Sequence, residues 1–375
     1  MKQSFKTLNL CIVTLLVSLG QIAWSATELI QWQPAQNYPK IILPKLENET
    51  PEAAVERYLL KVQADSKLQS LLRGSGIEDF NILNSKIELL PNKVASAGVT
   101  IETNKLRVAL IANQSADLTD GARVSRLTKT VVRAGGEPVV IALSADIGLS
   151  KSQATEFRTL VANRFDVLIG MGGEDVDPRL YGEENRHSLN VNRRRDVSEL
   201  RLIKAFKKAE RGVYFGICRG HQLGAVADGH TLYQDISKDG LGNTEEHIGR
   251  NAGYSHNNQT WHHVNVDDSL FLRFLENQSN PLINSAHHQA VRVNSAGSSV
   301  PVAMADNVVE ALEAKNKLSF SVQFHPEFGA DVSGNAEFSN MGFKLIRNIF
   351  AYSRMKRAEL ISTSAPRCRN IFRRM

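Results

Sequence analysis

The stretch VYFGICRGHQLG, Val213–Gly224, sets a short apolar run against a cysteine held between Gly216 and Gly220, and a helical pattern follows at once. An apolar run of this length reads as a buried strand, and HQLGAVADGH, residues 221–230, opens a helix. Cys218 therefore falls at the turn from strand to helix, a nucleophile elbow. Glycines on either flank suit a turn too tight for side chains. The unpaired amides at a helix start favour a thiolate over a thiol. A small buried core cysteine is the bland alternative for any lone thiol.

The pattern repeats on both sides of this stretch. LRVALIAN (106–113), EPVVIAL (137–143) and FDVLIGMGG (165–173) read as strands. ARVSRLTKTVVRAGG (122–136) and DVSELRLIKAFKKAERG (196–212) read as helices. Buried strands alternating with helices predict an α/β domain with a largely parallel sheet. Beyond Leu232 the chain is richer in polar residues and short strands: HHVNV, QAVRVN, NVVEALEA and SFSVQFH. The helix NMGFKLIRNIFAYSRM (340–355) is expected to cover the sheet. The domain is placed at 105–355.

Residues 27–104 read as a partly helical N-terminal extension. Thr50 precedes Pro51, Glu52 and Glu56, which suits a helix start, and Val55, Leu59 and Val62 fall at helical spacing. That stripe is expected to pack on the main domain. Lys2 and Lys6, the apolar run Leu8–Gly20 and small residues near Ser25 and Ala26 predict an export signal over residues 1–26. The run is short for a membrane span of about 20 residues, so stable membrane insertion after cleavage is not expected. The placement predicted is periplasmic or secreted, and an uncleaved anchor is the alternative.

Composition narrows the class. The 375 residues carry a net charge of +6 with 42% hydrophobic and 22% charged content, as in an ordinary globular protein. Excess positive charge collects at the end, where Arg354, Lys356, Arg357, Arg367, Arg369, Arg373 and Arg374 face only Glu359. A tail over residues 356–375 is expected to be solvated, and no nucleic-acid partner is expected. Three cysteines are too few for a disulfide framework. With Cys11 in the signal and Cys368 in the tail, Cys218 reads as a free thiol.

A thiol nucleophile needs an imidazole and a group to hold it. SVQFHPEF supplies His325 as base and Glu327 as orienting acid, at the end of a strand where open α/β sheets collect their sites. Attack on a carbonyl also creates an oxyanion that needs backbone donors. The N–H of Arg219 is one candidate, and Gly172 and Gly173 of GMGGED supply the other, through close approach or unusual dihedrals. His247, His256, His262 and His263 lack tight spacing to carboxylates or thiols, so no metal is expected. GGEDVDP lacks the ligands of a calcium loop. Its Glu174, Asp175 and Asp177 are expected to bind local backbone groups or a substrate amino group.

The blocks GICRGHQL (216–223), NSAHHQAV (284–291) and VQFHPE (322–327) resemble signatures of class I glutamine amidotransferase-like proteins. With GGEDVDPRLYGEE and GHTLYQDI they are most similar to the gamma-glutamyl-gamma-aminobutyrate hydrolase family, over roughly Leu106–Met355. The resemblance implies a flavodoxin-like α/β sandwich and a Cys218–His325–Glu327 triad. It also implies a small-molecule γ-glutamyl substrate, cleaved at its amide bond through a thioester, with no cofactor. It places Gln222 against the γ-glutamyl group, and His287 and His288 beside the pocket in a substrate-contact or structural role. Met171 stands where the family usually has proline, and Ala227 and Asp228 depart from its small or apolar residue and glycine. A glutaminase feeding a synthetase and a non-catalytic binding protein on the same fold are the alternatives.

Overall fold

The computed structural model describes residues 27–33, 40–64, 86–90, 105–112, 118–142, 149–242, 247, 260–329 and 333–364. The expected signal, Cys368 and the last basic residues lie outside them, as does His256. Among the described residues no helix is long and apolar enough to cross a membrane.

The apolar runs do form parallel strands. They are β4 (Leu106–Ala112), β5 (Gly136–Ala142), β6 (Val167–Gly170), β7 (Val213–Ile217) and, much later, β15 (Ser319–Val322). Their order across the sheet is β5-β4-β6-β7-β15, all parallel. That is the flavodoxin-like order 2-1-3-4-5. The fold is thus an α/β sandwich on a largely parallel central sheet.

Helices cover both faces. On one side lie α1 (Pro51–Ala64), α3 (Lys151–Arg164), α4 (Arg193–Ala209) and α5 (Arg219–Ala227). On the other lie α2 (Leu118–Arg133), α6 (Leu270–Phe274) and α7 (Ala336–Ser364). Alternation along β7 explains the two cores. Tyr214 packs with Phe206 of α4 and Leu223 of α5, whereas Val213, Phe215 and Ile217 pack with Ile346 and Phe350 of α7. Each filled Phe site is worth about 3–5 kcal/mol against truncation to alanine.

The N-terminal extension differs from its expected form. Helix α1 forms where Thr50 caps it, with Thr50 Oγ1 accepting from the Ala53 N–H at 3.1 Å. Three strands come with it: β1 (Thr27–Gln33), β2 (Lys40–Leu46) and β3 (Lys86–Leu90). They continue the central sheet in the order β5-β2-β1-β3, with β2 parallel to β5. Leu29, Ile30, Trp32, Ile42 and Leu43 are buried in the same core as Phe206. Pro44 hid this strand in the sequence, but it falls beyond Ile42, the last residue of β2 paired with β5. There the missing N–H costs no bond to that neighbour.

Two helices also differ in extent. Helix α3, absent from the sequence reading, starts at a capping box in which Ser150 and Gln153 each accept the other's backbone N–H. Helix α7 runs to Ser364 rather than Met355, so part of the basic stretch is ordered. Arg354 donates to the Ala134 and Gly135 carbonyls at the end of α2, and Arg357 reaches Asp166 at 3.2 Å. Gly135, at φ 82°, ends α2 as its sequence suggests.

The remaining strands build the far edge and the cover of the site. β14 (Val308–Ala314), β13 (Ser299–Ala305) and β10 (Asn265–Val266) extend the sheet antiparallel beyond β15. β9 (Thr260–His263) pairs with β11 (Leu282–Ser285), and β8 (Thr231–Tyr233) with β12 (Ala290–Arg292).

Candidate active site

Parallel pairing of β7 with β15 places the two chemical centres side by side. Ile217 lies in register with Val322, and the Cys218 N–H donates to the Val322 carbonyl at 2.8 Å. Cys218 is the next residue along one strand and His325 lies shortly beyond the other. Their spacing in sequence is long, but the sheet makes them neighbours, and a hydrogen bond joins the thiol and imidazole side chains.

Cys218 adopts φ 52°, ψ −108°, a conformation that L residues rarely take, between the end of β7 and the first turn of α5. Such strain costs about 1–3 kcal/mol and persists only where the surroundings enforce it. Here three glycines enforce it. A Cβ on Gly216 would lie 2.7 Å from the Gly220 carbonyl oxygen, and one on Gly220 would collide with the carbonyl of Gly170 at the end of β6. The Gly220 N–H donates to the Met171 carbonyl at 3.0 Å, and Tyr214 Oη donates to the Gly220 carbonyl at 2.6 Å. The elbow is clamped.

His325 Nδ1 donates to Glu327 Oε1 at 2.8 Å, which fixes the tautomer and turns Nε2 outward. Phe328 stacks on the imidazole with centroids 4.6 Å apart and planes 14° from parallel. Burial opposes charge on His325, but Glu327 and Cys218 outweigh it and push the imidazole up to about 10. Burial likewise opposes charge on Glu327, and His325 and Arg126 outweigh it, holding the carboxyl below its usual range. A raised imidazole stabilises the fold fully below its unfolded value, about 6.5, and the gain is lost as pH climbs through the folded value. The stability advantage of wild type over His325→Gln should therefore shrink between pH 6.5 and 10, by on the order of a few kcal/mol. Urea unfolding of both proteins across that range checks it, and a constant difference would refute the assignment.

Gly172 presses on both groups: a Cβ there would sit 2.9 Å from His325 Cε1 and 3.6 Å from Cys218 Cβ. Neither Gly172 nor Gly173 has the positive φ that the sequence reading allowed for; close approach alone requires them. A Cβ on Gly173 would lie 2.5 Å from the Arg195 guanidinium. Arg195 donates to Glu199 at 2.7 Å and also pairs with Glu174. Arg219 is 1% exposed and its guanidinium pairs with Asp196 and Glu199 of α4. Its side chain thus ties the elbow to α4, while its N–H stands in the first turn of α5, where no carbonyl within the helix can accept it.

The other expected contacts are placed differently from the centre. Gln222 is buried one turn into α5, and its Nε2 donates to the Gln289 carbonyl and Gln323 Oε1, each at 3.2 Å. His288 donates from Nε2 to Asp175 at 2.7 Å and from Nδ1 to Asp235 at 3.3 Å. Burial opposes its charge, and the two carboxylates overcome it and raise its pKa. Both nitrogens being engaged, His288 acts as a structural tie rather than a substrate contact. His287 Nδ1 donates to the Gln289 carbonyl at 2.9 Å, and its Nε2 faces Glu310. With Nδ1 committed and Nε2 buried 3.5 Å from Glu310, it too sits in the interior. Asp175 accepts the Leu189 N–H at 2.6 Å and Asp177 that of Arg179 at 3.0 Å, so both hold local backbone as expected.

Asn284 was missed. Its Oδ1 accepts the His325 N–H at 2.9 Å, fixing the backbone that carries the base. It opens the block NSAHHQAV, three residues ahead of the paired histidines.

A thiol at a glycine-clamped elbow on a 2-1-3-4-5 sheet, beside a histidine–glutamate pair, defines a class I glutamine amidotransferase-like protein. The chain belongs to the Peptidase C26 family, whose profile matches residues 99–327. A hydrolase- or amidotransferase-like function goes with that membership. YvdE of Lactococcus lactis, named for its likeness to glutamine amidotransferases, is 37% identical over 163 residues, 43% of this chain and 66% of its own length. The match thus spans just under two thirds of that relative. NtpR of Enterococcus hirae is 29% identical over 231 residues, 59% of this chain and 90% of its own length. Among solved structures, a glutamine amidotransferase of Thermotoga maritima aligns with TM-score 0.46 at 16% identity, covering 67% of this chain and 99% of that one.

Proposed function

We propose that the protein is a cysteine hydrolase that cleaves γ-glutamyl amide bonds through a γ-glutamyl thioester on Cys218. The observation that carries this reading is the strained Cys218 elbow against His325, itself held by Glu327 at 2.8 Å. In this reading the proton of the thiol resides on His325 and the thiolate attacks the amide carbon. The carbonyl oxygen takes the electron pair and is met by the N–H of Arg219 and the backbone of Gly172 and Gly173. As the C–N bond breaks, His325 gives its proton to the departing amine. Water then attacks the thioester, His325 takes a proton from it, and the γ-carboxylate leaves with the thiolate restored. Gln222 shapes the pocket wall beside the γ-glutamyl group.

The names of the relatives favour a second reading, glutaminase activity on free glutamine. One experiment separates the two. Purified protein is incubated with γ-glutamyl-GABA, γ-glutamyl peptides and free glutamine, and glutamate and ammonia are counted by mass spectrometry. Glutamate from γ-glutamyl amides with little ammonia from glutamine supports the hydrolase. The reverse pattern supports the glutaminase, and no turnover of either rejects both. We further propose export of the chain, from the N-terminal pattern of residues 1–26; Met1 found intact on cytoplasmic protein would contradict it.

A further inference from the structure

Far from Cys218 in sequence, four side chains converge on one buried point. β14 contributes Glu310, β9 contributes His262, the turn after β11 contributes His287, and His247 comes from the chain before β9. Glu310 Oε1 lies 3.3 Å from His262 Nε2, 3.5 Å from His287 Nε2 and 3.6 Å from His247 Nδ1. The ligand atoms of His247, His262 and Glu310 all lie within 4.8 Å of one another.

Only long contacts from the imidazoles, at 3.3–3.6 Å, meet the charge of this cluster among the described residues. Both carboxylate oxygens of Glu310, both ring nitrogens of His262 and His287 Nε2 are buried there without a well-formed hydrogen bond. Glu310 is 0% exposed, and no lysine or arginine pairs with it among those residues. A buried carboxylate left this way is among the costliest groups a core can hold. The histidine tautomer sharpens the problem. His287 Nδ1 donates to the Gln289 carbonyl at 2.9 Å, so a neutral ring turns the lone pair of Nε2 toward a carboxylate oxygen. Two lone pairs facing each other across 3.5 Å need a positive charge between them, either a proton on the ring or a metal ion.

The spacing says which charge fits. Four ligands at about 2.0–2.1 Å from a tetrahedral zinc lie about 3.3–3.4 Å from each other. The three separations from Glu310 Oε1, 3.3, 3.5 and 3.6 Å, are close to those edges. The hydrogen bond from His287 Nδ1 to a backbone carbonyl is also the outer support that a zinc-bound histidine characteristically has. Imidazole and carboxylate donors without thiolate suit zinc and its first-row neighbours rather than calcium or magnesium.

We infer that His247, His262 and Glu310, with His287 Nε2 beside Glu310, form a structural site for a divalent transition-metal ion, zinc in the first instance. Its donors are protein side chains, and none of them belongs to the thiol–imidazole pair. Its effect is to join β9, the β11 turn and the central sheet at β14. Asn284, one residue before Ser285 on β11, holds the His325 backbone, so the ion braces the strand that braces the base. The sequence hides this site because Glu310 lies on a wholly buried strand, well apart from the histidine-rich stretch.

The test uses the full chain without a histidine tag. It is stripped with a chelator, titrated with Zn²⁺ and measured by elemental mass spectrometry and thermal unfolding. About one zinc per chain is expected, with a rise in melting temperature on binding. Glu310→Gln and His262→Ala should weaken uptake at least about tenfold. Cys218→Ala and His263→Ala should bind as wild type does. A wild type that takes up no zinc, or a folded Glu310→Gln that takes up as much, overturns the proposal. So does loss of uptake in Cys218→Ala, which would place the ion at the thiol. If the cluster variants do not fold, Co²⁺ added to the wild type decides: intense visible bands of tetrahedral cobalt support the site, and their absence overturns it.

Discussion

Cys218→Ala should lower turnover of a γ-glutamyl amide by at least about 10⁴-fold, roughly 5–6 kcal/mol in barrier, with no loss of fold. The nucleophile has no understudy: Cys218 is the free cysteine among the described residues, and the neighbouring imidazole is held by Glu327. His325→Ala should come close to the same loss, because nothing else there is placed to protonate the leaving amine. Glu327→Gln should cost less, since shape survives and only charge and tautomer control are removed. The losses should not add. Once the thiol is gone the base has nothing to serve, so Cys218→Ala with His325→Ala should be no slower than Cys218→Ala alone. Steady-state rates with a γ-glutamyl amide, next to the mass of an acyl-enzyme trapped on Cys218, check all of this. Wild-type turnover in Cys218→Ala would sink the mechanism. An independent check uses the backbone: at φ 52°, ψ −108°, Cys218→Gly should raise the unfolding free energy by about 1 kcal/mol as it abolishes turnover.

The parallel frame was legible because its strands are apolar on both faces and its helices end at glycine or start at a cap. Val213–Ile217 and Val167–Gly170 are buried throughout, and a run of that kind has few other places to go. The pairing of Cys218 with His325 was legible for a related reason: both follow strands whose carboxyl ends share one edge of the sheet. Strands β1 to β3 were not, since Pro34, Pro39 and Pro44 punctuate their surroundings as a linker would. Nor could spacing show that His287 and His288 are engaged by Glu310, Asp175 and Asp235, partners far away along the chain. The charges of α4 were not legible either: Arg195, Asp196 and Glu199 are all buried, tied to the elbow through Arg219 and set against the Gly172–Gly173 loop through Arg195.

That buried face sets the second large effect, on stability. Arg219→Met should destabilise the fold by about 3–5 kcal/mol, seen as a lower urea midpoint with an unchanged slope. The side chain is 1% exposed and its guanidinium is shared between Asp196 and Glu199, each itself within 1% of full burial. Removing it leaves two carboxylates in the interior with Arg195, beside Glu199 at 2.7 Å, as the remaining paired cation among the described residues. The cost is that of stranded charge rather than of lost attraction. Lysine should therefore recover little, because a single ammonium cannot meet two carboxylates in the fixed fork that a guanidinium offers. Removing charge from both sides should recover more: Arg219→Met with Glu199→Met should be more stable than Arg219→Met alone. The same ties explain where the damage would spread. Asp196 also accepts the Asp177 N–H at 3.0 Å, and Arg195 lies against Gly173, so the loop that faces the thiol loosens with the network. An Arg219→Met midpoint equal to that of the wild type would show that the charges are solvated after all, and that the elbow is held by its glycines alone.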